Sequence, residues 1–338
     1  MQNKLAMIAL TAALGLVAAS AQADTLADVK ARGFVQCGVT EGVPGFSLPD
    51  ANNEWSGLDV DYCRAVASAI FNDPKAVRFT PTTSTDRFNV LGSGEVDLLA
   101  RTTTWTMTRD TTLGLMFVGT MFYDGQGFLV RKADGIASAA DLSGAAVCIE
   151  AGTTTELNAA DYFSANNLEF NPVTFTGQDE VLKAFEDGRC DVMTSDSSQL
   201  AGNRGELAVP DDYALLPEII SKEPLAIVVR QGDDLWFEIT RWVYYTLLES
   251  EELGVTQTNV DEMLGSDNPG IKRLLGVEGD FGTPIGLTKD WAYQVVKGTG
   301  NYGEIFERNV GANTPLALPR GLNALWNEGG IQYSPPIR

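Results

Sequence analysis

Residues 86–99 read DRFNVLGSGEVDLL and residues 179–193 read DEVLKAFEDGRCDVM, so the chain contains one pattern twice. Each copy predicts a short amphipathic helix, a Gly-x-x-Asp turn and then a buried strand. The two predicted strands are Val96–Ala100 and Cys190–Thr194. An α/β fold with two lobes, one built around each copy, follows from this repeat.

Each repeat strand is followed directly by a polar string, RTTT at residues 101–104 and SDSS at residues 195–198. Ligands of open α/β sheets bind at the carboxyl ends of the strands. We therefore expect the two lobes to close on one small polar molecule in the cleft between them. An ordinary αβ unit also has the order helix, glycine, aspartate and strand, but it would leave the polar strings unexplained.

The N-terminus has the pattern of a secretory signal peptide. A single Lys4 precedes an apolar run over residues 5–19, and Ala21-Gln22-Ala23 fits a small-x-small cleavage site. The run is too short for a membrane span. We expect cleavage near Ala23 and a soluble, exported mature protein that begins near Asp24, without membrane insertion.

Composition excludes several classes of function. The chain has 24 basic and 45 acidic residues, a formal net charge of −21, and no histidine. Negative charge disfavours nucleic acid as a partner, although it also fits simple solubility. Without histidine there is no Ser-His-Asp or Cys-His machinery and no histidine metal site. We predict no catalytic residues, no metal and no cofactor.

The four cysteines, Cys37, Cys63, Cys148 and Cys190, suggest disulfides in an exported chain. Three connectivities are possible. Pairing Cys37 with Cys63 and Cys148 with Cys190 keeps each bridge inside one lobe and is the pairing we favour. Four buried free thiols are the alternative.

The patterns of apolar and turn residues predict a helix over Leu58–Phe71 and strands over Val77–Pro81 and Ala146–Glu150. After Arg109 they predict an irregular stretch, followed by an apolar segment at Gly127–Arg131. The order of predicted elements makes the second lobe an insertion in the first. We assign residues 1–23 to the signal peptide, 24–128 and 229–338 to lobe one, and 129–228 to lobe two. The extended segments Phe128–Arg131 and Ile227–Arg230 connect the lobes and are the predicted hinge. Aromatic residues of the long C-terminal tail are expected to pack on lobe one rather than to contact a ligand.

Two charged residues are the main candidates for ligand contact. Arg109, placed in a loop after the first repeat strand, can form a bidentate pair with a carboxylate. Asp196 follows the second repeat strand and can face an ammonium group, so the two suit a zwitterion. The alternatives are a surface pair of Arg109 with Asp110, and a helix N-cap role for Asp196.

A third candidate is the turn at residues 152–155, which reads GTTT and precedes a helix. Exposed N–H groups at a helix N-terminus attract anions, which makes Thr153 a second carboxylate donor. Threonine followed three residues later by Glu156 is also an ordinary capping arrangement.

The chain resembles the periplasmic amino-acid-binding proteins of ABC uptake systems, most closely the general L-amino-acid type. The resemblance is carried by GLDVDYCRAVA at 57–67, DRFNVL at 86–91, TTTWTMTRD at 102–110 and YDGQGF at 123–128. It implies the two-lobe, type II periplasmic-binding-protein fold, with the ligand in the interlobe cleft. It also implies an inner-membrane ABC permease as partner, and we expect a monomer.

The resemblance further implies roles for individual residues. Arg109, Thr104 and Thr153 would bind the α-carboxylate, and Asp196 the α-ammonium. The matching side-chain pocket positions are Glu41, Phe46, Phe88, Thr102, Thr154 and Gln178. Arg87 falls where acidic-amino-acid binders of the same fold place an arginine.

Glu41 and Gln178 set this chain apart from the acidic-amino-acid binders of the same fold. Those binders carry a basic residue where this chain has Thr40-Glu41, and a histidine where it has Gln178. A broad ligand range is therefore expected, including glutamate, glutamine, aspartate and asparagine.

Two other functions remain open at this stage. One is a periplasmic enzyme on the same fold, similar to cyclohexadienyl dehydratase and acting on prephenate or arogenate, with Glu41 or Glu150 as acid or base. The other is a soluble sensor lobe that signals through a separate membrane receptor.

Overall fold

The computed structural model describes residues 24–338, so the predicted signal peptide at 1–23 lies outside the described residues. No helix in the described part is both long enough and apolar enough to cross a membrane.

Residues 24–338 contain twelve strands in three sheets. In chain order the strands are β1 (Val35–Val39), β2 (Leu48–Pro49), β3 (Trp55–Ser56), β4 (Val77–Pro81), β5 (Leu98–Thr104), β6 (Leu115–Asp124), β7 (Gln126–Arg131), β8 (Ala146–Glu150), β9 (Asn171–Phe175), β10 (Val192–Asp196), β11 (Tyr213–Leu215) and β12 (Glu223–Arg230).

The same residues form twelve α-helices. They are α1 (Thr25–Arg32), α2 (Leu58–Phe71), α3 (Arg87–Ser93), α4 (Met107–Thr112), α5 (Thr154–Ala165), α6 (Gln178–Glu186), α7 (Ser197–Glu206), α8 (Asp234–Glu252), α9 (Val260–Met263), α10 (Pro269–Leu274), α11 (Trp291–Thr299) and α12 (Tyr302–Asn309).

Two five-stranded sheets confirm the predicted two-lobe α/β fold. The order is β4-β1-β5-β12-β6 in the first sheet and β11-β7-β10-β8-β9 in the second, and β2 and β3 form a small hairpin. The repeat strands β5 and β10 occupy the middle of their sheets. Each has a parallel strand on one side and an antiparallel strand on the other. The two copies of the repeat are therefore equivalent in three dimensions.

The repeat strands begin and end later than the sequence predicts: β5 spans Leu98–Thr104 rather than 96–100, and β10 spans Val192–Asp196 rather than 190–194. The whole string Arg101–Thr104 belongs to β5, and Ser195 and Asp196 end β10. Polar residues continue these strands because the backbone ladder, not the side chains, holds the end of a strand in register. The polar strings thus lie at the sheet edges rather than in loops.

Two segments differ in kind from the prediction. Residues 115–124 were expected to be irregular but form the ten-residue strand β6, whose apolar run LMFVGTMFYD pairs along β12. Arg109 was expected in a loop but lies in α4, where the Thr106 hydroxyl accepts the Arg109 backbone N–H at 3.3 Å and caps the helix. A helix of six residues leaves too short a pattern to be recognised by periodicity.

The chain passes between the sheets at Gly125, between β6 and β7, and again in residues 216–222, before β12. The predicted lobe boundaries at 128/129 and 228/229 are therefore displaced, because β7 is in the second sheet from Gln126 and β12 is in the first from Glu223. An apolar run does not show which sheet it joins. The predicted hinge segments, Phe128–Arg131 and Ile227–Arg230, lie inside these strands.

The C-terminal part packs on lobe one as expected. Trp236 of α8 is 1% exposed and donates its indole N–H to the Asp97 carbonyl at 2.9 Å. Tyr302 of α12 donates its hydroxyl to the Met121 carbonyl of β6 at 2.8 Å. These aromatic residues belong to the lobe-one core.

Two disulfides join Cys37 to Cys63 and Cys148 to Cys190, as the local pairing predicted. The first ties β1 to α2 in lobe one, and the second ties β8 to the residue two before β10 in lobe two. Neither bridge crosses the cleft, so neither opposes a change in the distance between the lobes.

Replacing both Cys148 and Cys190 by alanine is expected to lower the free energy of unfolding by about 4 kcal/mol, because the closed loop of 42 residues restricts the unfolded chain. Urea unfolding of the variant and the parent measures the difference. A thiol titration of the denatured, unreduced parent must give no free thiol. One or more free thiols would contradict the pairing.

Candidate functional site

A cavity of about 30 Å³ lies between the two sheets, where β5 and β10 end. That volume holds about two water molecules. Eight of the eleven predicted ligand residues line the cavity: Glu41, Arg87, Thr102, Thr104, Thr153, Thr154, Gln178 and Asp196. The lobes touch across it, and Arg87 Nη2 donates to the Gly152 carbonyl of lobe two at 3.3 Å.

Asp196 presents an unpartnered carboxylate to this cavity. The residue is 7% exposed, and its Oδ1 atom has no hydrogen-bond partner in the described part of the chain. Burial, and after it the neighbouring carboxylates of Asp124 and Glu223, raise the pKa of Asp196 well above its usual value. An ammonium group placed here would supply the missing donor and the opposite charge.

The geometry decides against the helix-cap interpretation of Asp196. Asp196 occupies the N-cap position of α7, but its side chain accepts no backbone N–H of that helix. Asp124, at the end of β6, caps α7 instead. It accepts the Ser198 backbone N–H at 3.2 Å and the Ser197 hydroxyl at 2.7 Å. The Asp196 carboxylate is thereby left for the cavity.

Two arginines line the cavity without a carboxylate partner. Arg87 and Arg101 are 3% and 4% exposed, and neither takes part in an ion pair in residues 24–338. Arg101 contacts only the Ser84 hydroxyl, at 3.3 Å from each Nη atom, and the Nε atoms of both arginines have no partner. Burial lowers the pKa of both guanidinium groups.

Arg109 lies just behind the lining. Its Nη1 donates to the Thr104 carbonyl at 2.9 Å, and its guanidinium lies 5.3 Å from the Phe88 ring, which Arg87 contacts at 4.8 Å. Burial lowers the pKa of Arg109 to about 10, and the Glu223 carboxylate opposes this shift. Arg109 and Phe88 thus belong to the layer that supports the cavity wall in this closed arrangement.

Phe46 does not reach the cavity. Its side chain is 1% exposed and packs edge-on against Phe122 at 5.2 Å, inside the lobe-one core. The neighbouring Gly57 explains this position. With φ at +132°, a Cβ on Gly57 would lie 2.0 Å from the Phe46 carbonyl oxygen, so the two backbones are in direct contact. An apolar ring there gains more from the core than from a polar cleft.

The helix α5 begins at the cavity, and its threonines have different roles. The Thr153 hydroxyl accepts the Glu156 N–H at 3.3 Å and donates to the Glu150 carbonyl at 2.7 Å, which confirms the capping arrangement. The first N–H groups of a helix have no intrahelical acceptor. Backbone N–H groups near Thr154 and Thr155 are thus the anion donors of this helix end.

Another part of the cavity lining comprises Glu41, Glu150 and Gln178. Burial and the neighbouring Glu150 raise the pKa of Glu41, whereas Arg101 lowers it. Gln178 is 8% exposed, and its Nε2 has no partner in the described chain. This part offers acceptors, an amide and a guanidinium to a ligand side chain.

Thr102 is held in a strained backbone conformation at the cavity wall. Its φ is +47°, in the left-handed region that β-branched residues avoid. Asp59, in the first turn of α2, accepts the Thr102 N–H at 3.2 Å. Burial raises the pKa of Asp59 to about 7, although this bond and Arg101 lower it. Backbone strain of this kind collects at functional sites.

Nine cavity residues were not predicted as ligand contacts: Thr40, Gly42, Val43, Ser84, Arg101, Glu150, Thr155, Ser195 and Gln199. Arg101 opens the first polar string, so its position in the string was a usable signal. Glu150 was considered only as a catalytic group. No pattern in the sequence distinguishes Ser84 or Gln199.

Comparison with known proteins identifies the family. Residues 35–253 match the family model of the bacterial extracellular solute-binding proteins, family 3. The chain belongs to this family.

Relatives of similar length support the assignment. The general L-amino acid-binding periplasmic protein AapJ of Rhizobium johnstonii is 59% identical over 100% of both chains. The glutamate/glutamine/aspartate/asparagine-binding protein BztA of Rhodobacter capsulatus is 50% identical over 99% of this chain and 100% of its own.

A solved structure supports the fold. The ABC transporter/periplasmic binding protein from Brucella ovis with glutathione bound has a TM-score of 0.92 and 59% identity, over 94% of this chain and 100% of its own.

Replacing Asp59 by asparagine is expected to stabilise the protein at pH 8 but not at pH 4. The folded-state pKa is about 7, above the unfolded value, so wild type loses stability as pH rises between the two. Asparagine avoids that loss and still accepts the Thr102 N–H. The gain at pH 8 should exceed about 1 kcal/mol. Denaturant unfolding at several pH values measures it.

The exposed Asp86, replaced in the same way, is the control and should leave the pH profile unchanged. If the unfolding free energy of Asp59→Asn changes with pH in the same way as that of wild type, the raised pKa of Asp59 is contradicted.

Proposed function

We propose that this solute-binding protein captures L-amino acids between its lobes and delivers them, chemically unchanged, to an ABC permease. One observation carries the proposal: buried charges of both signs, without ion-pair partners, face the same cavity. These charges are the Asp196 carboxylate, whose Oδ1 has no hydrogen-bond partner, and the guanidinium groups of Arg87 and Arg101, which have no ion pair.

A free amino acid matches this distribution of charge. A buried charge without a partner costs several kcal/mol, and a partner removes much of that cost. The α-ammonium would lie against Asp196. The α-carboxylate would lie toward the N-terminus of α5 and the guanidinium of Arg109.

The remaining charges suit several side chains. Arg101 can pair with an acidic side chain, whereas Glu41, Glu150 and Gln178 can accept or donate hydrogen bonds to an amide. This mixture supports the broad range expected from the sequence. The names of AapJ and BztA, as binding proteins for several amino acids, point the same way.

Entry of a ligand requires the lobes to separate. The cavity of about 30 Å³ is smaller than an amino acid and is closed by contacts such as the one between Arg87 and the Gly152 carbonyl. The single crossings at Gly125 and at residues 216–222 allow this hinge motion. A ligand then stabilises closure in proportion to its preference for the closed state.

The proposed location and partner of the protein rest on the same proposed function. A signal peptide ending near Ala23 places the mature chain in the periplasm, where a monomer would meet an inner-membrane ABC permease. Glu41 and Glu150 then act as side-chain selectors rather than as an acid and a base. The relatives named above are binding proteins, and none of their names describes an enzyme.

A thermal-shift screen of the twenty L-amino acids tests the proposal, since a ligand that binds only the folded state raises the unfolding temperature. We expect several acidic and amide amino acids to shift the midpoint. Glutathione belongs in the panel, because its γ-glutamyl end carries an α-ammonium and an α-carboxylate. No shift with any L-amino acid at millimolar concentration would reject the proposal.

Replacing Asp196 by asparagine is expected to weaken every amino acid at least tenfold, or about 1.4 kcal/mol. The ammonium keeps a hydrogen-bond acceptor but loses its opposite charge. The ligand-free unfolding temperature should not fall, since Asp196 caps no helix. Isothermal titration calorimetry measures the affinities. Intact affinity together with lowered ligand-free stability would assign Asp196 a structural role.

Replacing Arg101 by glutamine is expected to act selectively. Glutamate should lose at least tenfold in affinity, while glutamine should change less than threefold, because only the acidic side chain loses a charge partner. Exposed Arg78, replaced in the same way, is the control. Equal losses for both ligands would make Arg101 a structural residue of the cavity wall.

A further inference from the structure

Glu223 is a buried acidic residue that the ligand model above does not use. It is the first residue of β12, directly after the second crossing between the lobes, and it is 1% exposed. It pairs in register with Asp124, the last residue of β6, where the first crossing begins. The carboxylate thus lies at the hinge, beneath the cavity.

Four side chains donate hydrogen bonds to this carboxylate. Oε2 accepts the Thr104 hydroxyl at 2.7 Å and the Thr154 hydroxyl at 2.8 Å. Oε1 accepts the Asn158 amide and the Ser221 hydroxyl, both at 2.6 Å. An ionised carboxylate can accept about four hydrogen bonds, two on each oxygen, so these four donors fill its acceptor sites.

The donors come from parts of the molecule that move relative to one another when the cleft opens. Thr104 belongs to β5 of lobe one, whereas Thr154 and Asn158 belong to α5 of lobe two. Ser221 lies in the second crossing, and its hydroxyl also accepts the N–H of Gln126, the first residue of β7 after the first crossing, at 3.2 Å. Both lobes and the second crossing therefore meet at one carboxylate.

We propose that Glu223 is the latch of the closed state: a positioning residue that holds lobe two on lobe one and orients the hydroxyls of Thr104 and Thr154 toward the ligand. Separation of the lobes breaks the bonds from Thr154 and Asn158 and leaves those from Thr104 and Ser221. Hydrogen bonds to a charged group are the stronger kind, so their loss opposes opening.

The latch also fixes the polarity of the cavity wall. A hydroxyl has one proton, and the protons of Thr104 and Thr154 are committed to Glu223. Both hydroxyls can then only accept, so they present lone pairs to the cavity beside Asp196. Such a surface suits an ammonium group. The Thr104 hydroxyl is thereby assigned to the ammonium end of the ligand rather than to its carboxylate; this part rests on the proposed function.

Dissociation kinetics test the latch. We expect Glu223→Gln to raise the dissociation rates of L-glutamine and L-alanine at least tenfold, while association changes less than threefold, because the lost bonds form only on closure. Asn158→Ala removes one latch bond without altering the cavity lining. It should raise both dissociation rates about threefold. Stopped-flow tryptophan fluorescence gives the rates.

Glu251→Gln is the control, since Glu251 is a largely buried carboxylate that pairs with Arg320 at 2.9 Å, within lobe one. It should lower the unfolding midpoint and leave the dissociation rates unchanged. Dissociation rates unchanged in both latch variants would overturn the proposal.

Small-angle scattering of the ligand-free proteins separates this proposal from the proposed function. The latch predicts a larger radius of gyration for Glu223→Gln and Asn158→Ala than for wild type and Glu251→Gln, whatever the ligand is. Equal radii for all four proteins would overturn the latch. If wild type binds no amino acid but both latch variants have a larger radius of gyration, the proposed function is rejected and the latch proposal stands.

Discussion

The cost of burying a charge without a partner is the constraint on which this site depends. Asp196 and the guanidiniums of Arg87 and Arg101 are almost completely shielded from solvent, yet none of them has an ion pair within residues 24–338. We propose that in the closed arrangement a molecule with charges of both signs relieves that cost. The affinity of the site and its need to close therefore have the same origin.

The fold places these charges together by using one unit twice. In each lobe a helix and a Gly-x-x-Asp turn lead into the middle strand of a five-stranded sheet, and that strand ends at the cleft. A disulfide holds each lobe together internally. Within residues 24–338, only Gly125 and residues 216–222 connect the lobes, so each lobe is stable within itself while the distance between the lobes remains free to change.

Local patterns predicted much of this structure. The predicted bounds of α2, β4 and β8 agree with the structure, because periodicity and flanking turn residues mark them within the sequence itself.

The site was predicted in part. The candidate ligand residues Asp196 and Arg87 line the cavity. Phe46 did not, because an aromatic residue beside a polar loop has the same local pattern whether it faces a core or a cleft. Glu223 was missed for a related reason: its partners Thr104 and Thr154 are 119 and 69 residues away in the chain, and Thr154 reaches it only when the lobes close.

The central claim is that the cleft requires both charges of its ligand, and a matched set of three small molecules tests it most directly. L-alanine has an ammonium and a carboxylate, propionate has only the carboxylate, and ethylamine has only the ammonium. Isothermal titration calorimetry of the purified mature protein should show binding of L-alanine and at least hundredfold weaker binding of both analogues. Propionate or ethylamine within tenfold of L-alanine would contradict the account.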